Sequence, residues 1–254
     1  MRRSGIICLV VLFSVTCGFA QSEGRRGETY VSIAQLPDWS GVWVIPFDTF
    51  LRENVLQRVV GDPASPPLTP AFAKVLAGQR PGSPTRKATN AEQCLPNGMP
   101  NVMRYAFAIE FLFTPGRVTI LLEQDGMIRR IYTDGRSHSK DPDPSYAGES
   151  IGRWEGDTLV VETAAISPRA ELMAGVPTSG QARITERIRL RDRTHLEIAS
   201  VVEDPVALTM PWRRTHVYER SDIGFFERIC LDNNRDRDRA DPDLTPPDER
   251  GHAR

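Results

Sequence analysis

The chain has 254 residues, of which 40% are hydrophobic and 26% charged, and its formal net charge at pH 7 is −1. This balance lacks the excess of Lys and Arg that binding to a phosphate backbone requires, so nucleic acid is not an expected partner. The length suffices for one substantial hydrophobic core or two very small ones.

The first twenty residues are typical of a secretory signal peptide. Arg2–Arg3 form a basic start, and an apolar run follows from Ile6 to Val15. The small residues near Ala20 predict cleavage after that position. A lipid anchor on Cys17 is the alternative, but Ser14 stands three positions ahead of it, where a lipidated cysteine calls for a large apolar residue.

Cleavage there would leave a mature chain of 254 − 20 = 234 residues. It would remove two arginines and no acidic residue, so Lys+Arg falls from 32 to 30 against 33 Asp+Glu and the net charge becomes 30 − 33 = −3. No later segment is apolar over the roughly 20 residues that a transmembrane helix needs. We therefore expect a soluble protein of the periplasm or the medium, and the sequence leaves its oligomeric state open.

The first part of the mature chain predicts a loose leader, one strand and two short helices. Residues 21–35 are polar, and Leu36–Ile45 contains a turn that runs into a first strand. Asp48–Val60 carries apolar residues at helical spacing. Thr69 is the expected N-cap of a second helix, which ends near Gly78.

From Tyr105 onward the apolar residues recur with a period of two, which is typical of strands. Asp125-Gly126 predicts a tight hairpin, because both central residues of a type I′ turn need positive φ. The predicted strands are 105–113, 118–124, 128–133, 150–154, 158–165, 182–191, 195–204 and 211–220, with a further edge at 225–231.

About nine strands with short connections leave no room for the crossover helices of a parallel sheet and would expose their edges unless the sheet closes. The predicted fold is mainly β: a single antiparallel β-barrel or strongly curved meander sheet over residues 36–234, with two short helices before the main strands. Residues 235–254 are almost all charged, Pro or Gly and are predicted to be a disordered tail.

Cys94 and Cys230 are the two cysteines that would remain after cleavage. An even pair in an oxidising compartment predicts a disulfide. The alternative is a thiol nucleophile or a metal ligand, yet neither cysteine has a second Cys or a His nearby at ligand spacing. We expect no metal site and no cofactor.

Glu186 lies in phase with the aliphatic residues of its strand. Ile184, Ile188 and Leu190 share its face, so a carboxylate there must be paired, hydrogen-bonded or protonated. One interpretation is a structural Glu–Arg pair inside the barrel, and the other is an acid–base group of a functional site.

The last strand supplies candidate neighbours for Glu186. Trp212, Arg214, His216 and Tyr218 share one face, and with Trp154 they would form a polar and aromatic pocket for a small organic ligand. The alternative is that the aromatic residues cap the barrel end and the arginine is solvated.

A long loop follows the fourth predicted strand, and it contains His138 and Arg136. With Asp134, Asp141 and Asp143 nearby, His138 is a candidate general base oriented by a carboxylate, and Arg136 a candidate ligand-binding residue at the pocket mouth. The same residues equally suit a turn, in which Asp and Pro are common for backbone reasons.

Several runs of the chain have a specific composition: 115–120 (PGRVTI), 129–136 (RRIYTDGR), 150–161 (SIGRWEGDTLVV), 184–187 (ITER) and 211–212 (PW). Together they resemble a family of secreted bacterial proteins of unassigned function. Glu149 and Thr178 stand where that family often has histidines, so an activity based on those histidines would be lost or altered here. Separately, Gly41–Trp43 and the meander resemble lipocalin-like barrels, which hold small apolar or amphipathic ligands.

Three functions are compatible with these observations. The first is an exported small-molecule-binding barrel with a polar and aromatic lumen. The second is a cofactor-free hydratase, isomerase or hydrolase, in which Glu186 and either His216 or His138 perform acid–base chemistry. The third is an envelope protein-interaction module, which predicts an apolar surface patch in place of a pocket.

Overall fold

In a computed structural model of the chain, the residues described are 29–56 and 64–230. The predicted signal peptide (1–20), most of the predicted leader and the predicted tail (235–254) lie outside them. The described residues form a mainly β fold with three short helices. Its strands are β1 (Val42–Val44), β2 (Ile109–Thr114), β3 (Arg117–Leu122), β4 (Met127–Tyr132), β5 (Glu149–Glu155), β6 (Thr158–Ala164), β7 (Glu171–Met173), β8 (Val176–Pro177), β9 (Arg183–Leu190), β10 (His195–Glu203) and β11 (Trp212–Ser221).

Nine of these strands close into a barrel in the order β1-β11-β10-β9-β6-β5-β4-β3-β2, which confirms the predicted β-barrel and gives the molecule a lipocalin-like shape. The prediction of a wholly antiparallel sheet is wrong at one pair. β4 and β5 are parallel, with Ile131 opposite Ser150, because the loop between them carries the chain back to the end where β4 began. Every other pair in the barrel is antiparallel.

Two local predictions have contrasting outcomes. At the β3–β4 connection, Asp125 has φ 66° and Gly126 φ 57°, so both residues adopt the positive φ that the Asp-Gly pair predicts. The expected edge strand at 225–231 is absent from its described part, residues 225–230. The antiparallel hairpin β7–β8, inserted between β6 and β9, is a feature that the sequence pattern did not predict.

The helices are α1 (Tyr30–Ile33), α2 (Phe47–Leu56) and α3 (Pro70–Gly78). The helix α1 lies within the predicted loose leader, where Thr29 and Ser32 form a reciprocal capping box. Both predicted helices are present, although residues 57–60 of the first lie outside the described part. Thr69 is the N-cap of α3, but its hydroxyl donates to the carbonyl of Val206 and so fixes the helix to the barrel.

Alternate residues of each strand point inward and fill the barrel. Trp43, Ile120, Leu159 and Ile188 are among those with no exposed surface. One end of the barrel, here called the hairpin end, contains the β2–β3, β5–β6 and β9–β10 turns. There Trp39 packs against Phe111, Phe113 and Trp154 with ring centroids 5.1–5.5 Å apart. These aromatic rings close that end of the barrel.

The opposite end is closed by residues 97–104, here called the plug, of which all but Pro100 are buried. The peptide bond between Met99 and Pro100 is cis. The Tyr218 hydroxyl donates to the carbonyl of Met103, which joins the plug to β11. A disulfide between Cys94 and Cys230 confirms the predicted pair and ties the segment before the plug to the chain after the last strand.

The helices within the described ranges are too short or too polar to cross a lipid bilayer.

Candidate functional site

Glu186 points into the barrel, as the strand pattern predicts, and is paired with Arg129 of β4. The guanidinium of Arg129 donates to both carboxylate oxygens, and to the hydroxyls of Ser150 at 3.2 Å and Thr163 at 2.9 Å. Both side chains of the pair are almost completely buried. This geometry matches the interpretation of Glu186 as half of a structural Glu–Arg pair, because both of its carboxylate oxygens accept hydrogen bonds from Arg129.

His216 and Arg214 also point inward, and they meet Glu53 of α2 instead of Glu186. Arg214 donates to Oε2 of Glu53 at 2.9 Å, and Nδ1 of His216 lies 3.3 Å from the same oxygen. Burial lowers the pKa of His216, and Glu53 opposes this only in part. Burial alone would raise the pKa of Glu53, but His216, Arg214 and Arg104 hold it below its ordinary value.

The lumen around these groups contains a cavity of about 20 Å³, which is space for one water molecule. Its walls include Glu186, Ser200 and His216 from the strands, and Asn101 and Arg104 from the plug. The predicted side chains do point inward, but the plug and the aliphatic residues leave little free space beside them in the lumen.

The aromatic residues predicted for this pocket lie in the packed interior. Trp212 and Tyr218 are buried, and Trp154 belongs to the aromatic cluster at the hairpin end, away from Glu53 and the plug. The structure thus brings Trp212, Arg214, His216 and Glu186 to one cavity, whereas Trp154 contributes to the closure of the other end.

The predicted loop residues lie outside the barrel. Nδ1 of His138 is 2.9 Å from Glu149, so its carboxylate partner is Glu149 and none of the three expected aspartates. Hydrogen bonds from Ser139 keep the pKa of Glu149 below its ordinary value. Arg136 pairs with Asp134 and stacks on the outward-facing Tyr132.

Thr178, the second position at which the resembled family often has histidine, is buried beside the plug end. Its hydroxyl donates to the carbonyl of Ser167 at 2.9 Å. Glu149 therefore fixes the long loop through His138 and Ser139, and Thr178 fixes the turn before β7.

A larger concave site lies at the plug end, between α3, residues 85–95 and the β7–β8 hairpin. We call it the rim groove. Its volume is about 600 Å³, within the range of about 300–1,000 Å³ that is common for ligand sites. One wall is formed by Lys74 and Val75 of α3, the opposite wall by Lys87 and residues 88–95, and the floor by the hairpin with Tyr146.

The helical wall is fixed to the barrel through the connection between β10 and β11. Leu68 forms a β-bridge with Leu208, and the amide of Thr69 donates to the carbonyl of Ala207 at 2.9 Å. Pro70 at the first helical position then sets the direction in which α3 leaves the barrel. The start of the wall is therefore held by backbone contacts, together with the hydrogen bond from the Thr69 hydroxyl to the carbonyl of Val206.

The opposite wall is held by Asn90. Its side-chain amide donates to the carbonyls of Pro96 at 2.9 Å and Arg169 at 2.7 Å, and its backbone N–H donates to Glu171 at 2.9 Å. Glu171 also accepts from the side-chain amide of Asn101 at 3.2 Å. Burial raises the pKa of Glu171, although these donors and Arg104 oppose the shift.

The floor requires a glycine. Gly175 has φ +80°, and a Cβ at that position would lie 2.8 Å from the side chain of Gln79. This close approach lets Nε2 of Gln79 donate to the carbonyl of Gly175 at 2.8 Å. The helix and the hairpin are thereby joined at the base of the groove.

Two buried polar atoms at the rim groove have no hydrogen-bond partner among the residues described. They are the hydroxyl of Tyr146 and Oε1 of Gln79. A buried polar atom without a partner costs about 1–3 kcal/mol, so such atoms are normally satisfied by water or a ligand.

The sequence pattern did not predict the groove residues, because they do not recur with a helical or a strand period. Lys74 and Val75 belong to a predicted helix, but Lys87 lies between that helix and the first of the later strands, and Glu171 and Tyr146 lie between predicted strands. The available signal was the concentration of Gly, Pro and Asn over 78–98, which marks a segment whose path is set by specific turns.

Across the described parts of the chain, no group of three or more His, Cys, Asp and Glu side chains is arranged to hold a metal ion. Comparisons of the chain with protein-family models, with curated proteins and with solved structures find no significant match.

Proposed function

We propose that this chain is an exported small-molecule-binding β-barrel protein whose ligand occupies the rim groove. The observation that carries the proposal is the contrast between two spaces. The rim groove has about 600 Å³, and the cavity in the lumen about 20 Å³. Of these two spaces, only the rim groove can take an organic molecule of ordinary size. Two other surface concavities, of about 710 Å³ and about 350 Å³, are also large enough, but among the described residues only the lining of the rim groove includes both Tyr146 and Gln79, whose buried polar atoms lack a partner.

Export is the second element of the proposal. It is supported by the signal-like residues 1–20 and by the disulfide between Cys94 and Cys230, since disulfides form and persist mainly outside the cytosol. We also propose that the chain belongs to the secreted bacterial family that its GRWEGDTLVV motif resembles.

Native mass spectrometry of the protein purified from the periplasm or medium of the producing cell tests both elements. Val75→Trp places an indole in the rim groove, and Ser200→Val is the matched variant that fills the lumen cavity. We expect a bound small molecule in the unmodified protein and in Ser200→Val, and its loss in Val75→Trp. The measured mass should also correspond to a chain that begins at Gln21.

Loss of the bound molecule in Ser200→Val, with retention in Val75→Trp, would place the ligand in the lumen and overturn the site assignment. A mass that retains residues 1–20 would overturn the proposed export. A purified protein without any bound mass, and without response to a library of organic compounds, would contradict the binding function itself.

The acid–base alternative has less support from the geometry. Glu186 and His216 do line one cavity, but it admits a single water molecule, Glu186 is held by Arg129, and His216 faces Glu53. The interaction-module alternative predicts an apolar patch, and α2 does expose Phe47, Leu51 and Val55 at successive turns. That alternative expects the patch in place of a pocket, whereas the structure has the rim groove as well as the patch. We therefore assign the function to the groove.

A further inference from the structure

Resting on the proposed function, we propose that the ligand of the rim groove is an amphipathic organic anion. Its acidic group would be bound by Lys74, Lys87 and Arg169, and its apolar body would lie against the α3 wall. The hydroxyl of Tyr146 would donate a hydrogen bond to the same molecule.

The first support is the charge around the groove. Lys74, Lys87 and Arg169 line it, and within residues 29–56 and 64–230 none of the three has a carboxylate oxygen within 4.0 Å. By contrast, many arginines on the outer wall of the barrel are paired, such as Arg187 with Glu155. Cations that converge on a concave surface without partners attract anions and concentrate them there.

Among the described side chains that line the groove, Glu171 is the one acidic residue, and it is oriented toward the protein. One of its oxygens accepts from the backbone of Asn90, and the other accepts from Asn101 of the plug. Burial raises its pKa, which reduces the negative charge it presents to the groove. The groove-lining side chains therefore leave a net positive charge.

The second support is the pair of buried polar atoms without partners. The Tyr146 hydroxyl is a donor as well as an acceptor, and Oε1 of Gln79 is an acceptor. A ligand with an acidic oxygen and a separate N–H or O–H group would satisfy both. A purely hydrocarbon ligand would leave both atoms unsatisfied.

The third support is the apolar surface between the charges. The apolar residues that line the groove are Ala71 and Val75 of α3, Ala88, Leu95 and Pro177. Burying apolar surface contributes roughly 25 cal/mol per Å². A small inorganic anion cannot use this surface, so the lining favours an anion with an organic body.

Two fluorescent probes separate charge from apolar contact. Anilinonaphthalene sulfonate carries an anionic group, and its parent N-phenylnaphthylamine has the same ring system without the charge. Both are titrated into the full chain, and Val75→Trp defines the fraction of each signal that comes from the rim groove. Lys74→Met with Arg169→Met removes two charges but keeps apolar stems. Arg130→Met removes an exposed cation from the outer face of β4 and serves as the control.

We expect both probes to bind the groove and the sulfonate to bind more tightly. The double methionine variant should weaken the groove-bound sulfonate about tenfold and leave the neutral probe unchanged. Tyr146→Phe should also weaken the sulfonate, and Arg130→Met should weaken neither. Added salt should reduce sulfonate affinity in the unmodified protein and much less in the double variant.

Two results would overturn different parts of the account. Equal affinity of the two probes, or no loss of sulfonate affinity in the double variant, would refute the anion and leave groove binding intact. If Val75→Trp changes neither titration, the rim groove binds neither probe and the proposed function fails with the inference.

Discussion

Arg129 and Glu186 form a buried ion pair in which each charge is stabilised by the other. Both side chains are withdrawn from water, and the guanidinium is satisfied by the carboxylate and two hydroxyls. Removal of one partner leaves a buried charge without compensation, which usually costs about 3–5 kcal/mol, whereas apolar replacement of both is often tolerated.

We therefore predict that Glu186→Gln lowers the free energy of unfolding by about 3–5 kcal/mol, measured by urea denaturation. The double variant Arg129→Met with Glu186→Leu should be closer to the unmodified protein than Glu186→Gln is. If Glu186→Gln is as stable as the unmodified protein, the pair does not contribute in the way the geometry indicates.

His216 should make the stability of the protein depend on pH. Burial lowers the pKa of His216 in the folded state below its ordinary value of 6.5, so the unfolded chain takes up a proton first as the pH falls. Its contribution is complete above about pH 6.5 and declines as the pH falls toward the folded pKa. The lowered pKa of Glu53 acts in the same direction at more acidic pH.

The free energy of unfolding should decrease as the pH is lowered from about 7.5 to 5.5. His216→Gln should make this dependence on pH weaker. His195→Gln is the matched control, because His195 is substantially exposed. An unchanged slope in His216→Gln would show that this histidine is not the group responsible.

At the scale of single residues, the sequence predicted which side chains point into the barrel but not which groups they pair with. The period of two placed Glu186, Trp212, His216 and Tyr218 inside, and all four are buried. It did not distinguish Arg129 from Arg130 as the partner of Glu186, because the strand face of that pair had not been assigned. The role of Glu53 depends on how α2 crosses the barrel end, which no local pattern determines.

At the scale of elements, the plug depends on backbone that only glycine adopts without strain. Gly98 has φ +71°, and an added Cβ would lie 2.6 Å from Cβ of Ala170 and 2.9 Å from the carbonyl of Tyr146. Both neighbours are adjacent to the rim groove. A side chain at residue 98 would therefore displace the plug from the segment that supports the groove.

Gly98→Ala should lower the free energy of unfolding by about 2–4 kcal/mol from strain and overpacking, with a loss of probe binding in the rim groove. Gly126→Ala is the matched control: its φ is +57° and a Cβ there meets nothing within 4 Å, so only the backbone strain should appear. Equal destabilisation by the two variants would show that the contacts of Gly98 do not matter.

The hairpins of the barrel were predictable because alternation and turn residues occur together, as they do around Asp125-Gly126. The β7–β8 hairpin was not, since Glu171–Met173 is buried throughout and shows no alternation. The parallel pairing of β4 with β5 also escaped prediction. It follows from the path of the loop at 133–148, and strand periodicity is the same in parallel and antiparallel pairs.

At the scale of the whole molecule, closure of the barrel and its function are separate properties. The strands specify a filled interior, in which the plug and Trp39 close the two ends. The helix α3, residues 85–95 and the inserted hairpin then create a concave surface outside the lumen. Sequence periodicity predicted the closed barrel but not the plug that fills one end of it. It could not predict the groove, because the groove depends on contacts between segments far apart in the chain.

The central claim is that a ligand binds in the rim groove while the lumen stays filled. The most direct test is a two-dimensional amide NMR titration of the isotopically labelled chain with anilinonaphthalene sulfonate. The account predicts that the largest saturable shifts occur in α3, residues 85–95 and the β7–β8 hairpin, and that β9–β11 amides change little. Shifts concentrated on the inward-facing residues of β9–β11, such as Glu186, Ser200 and His216, would contradict it and return the site to the lumen.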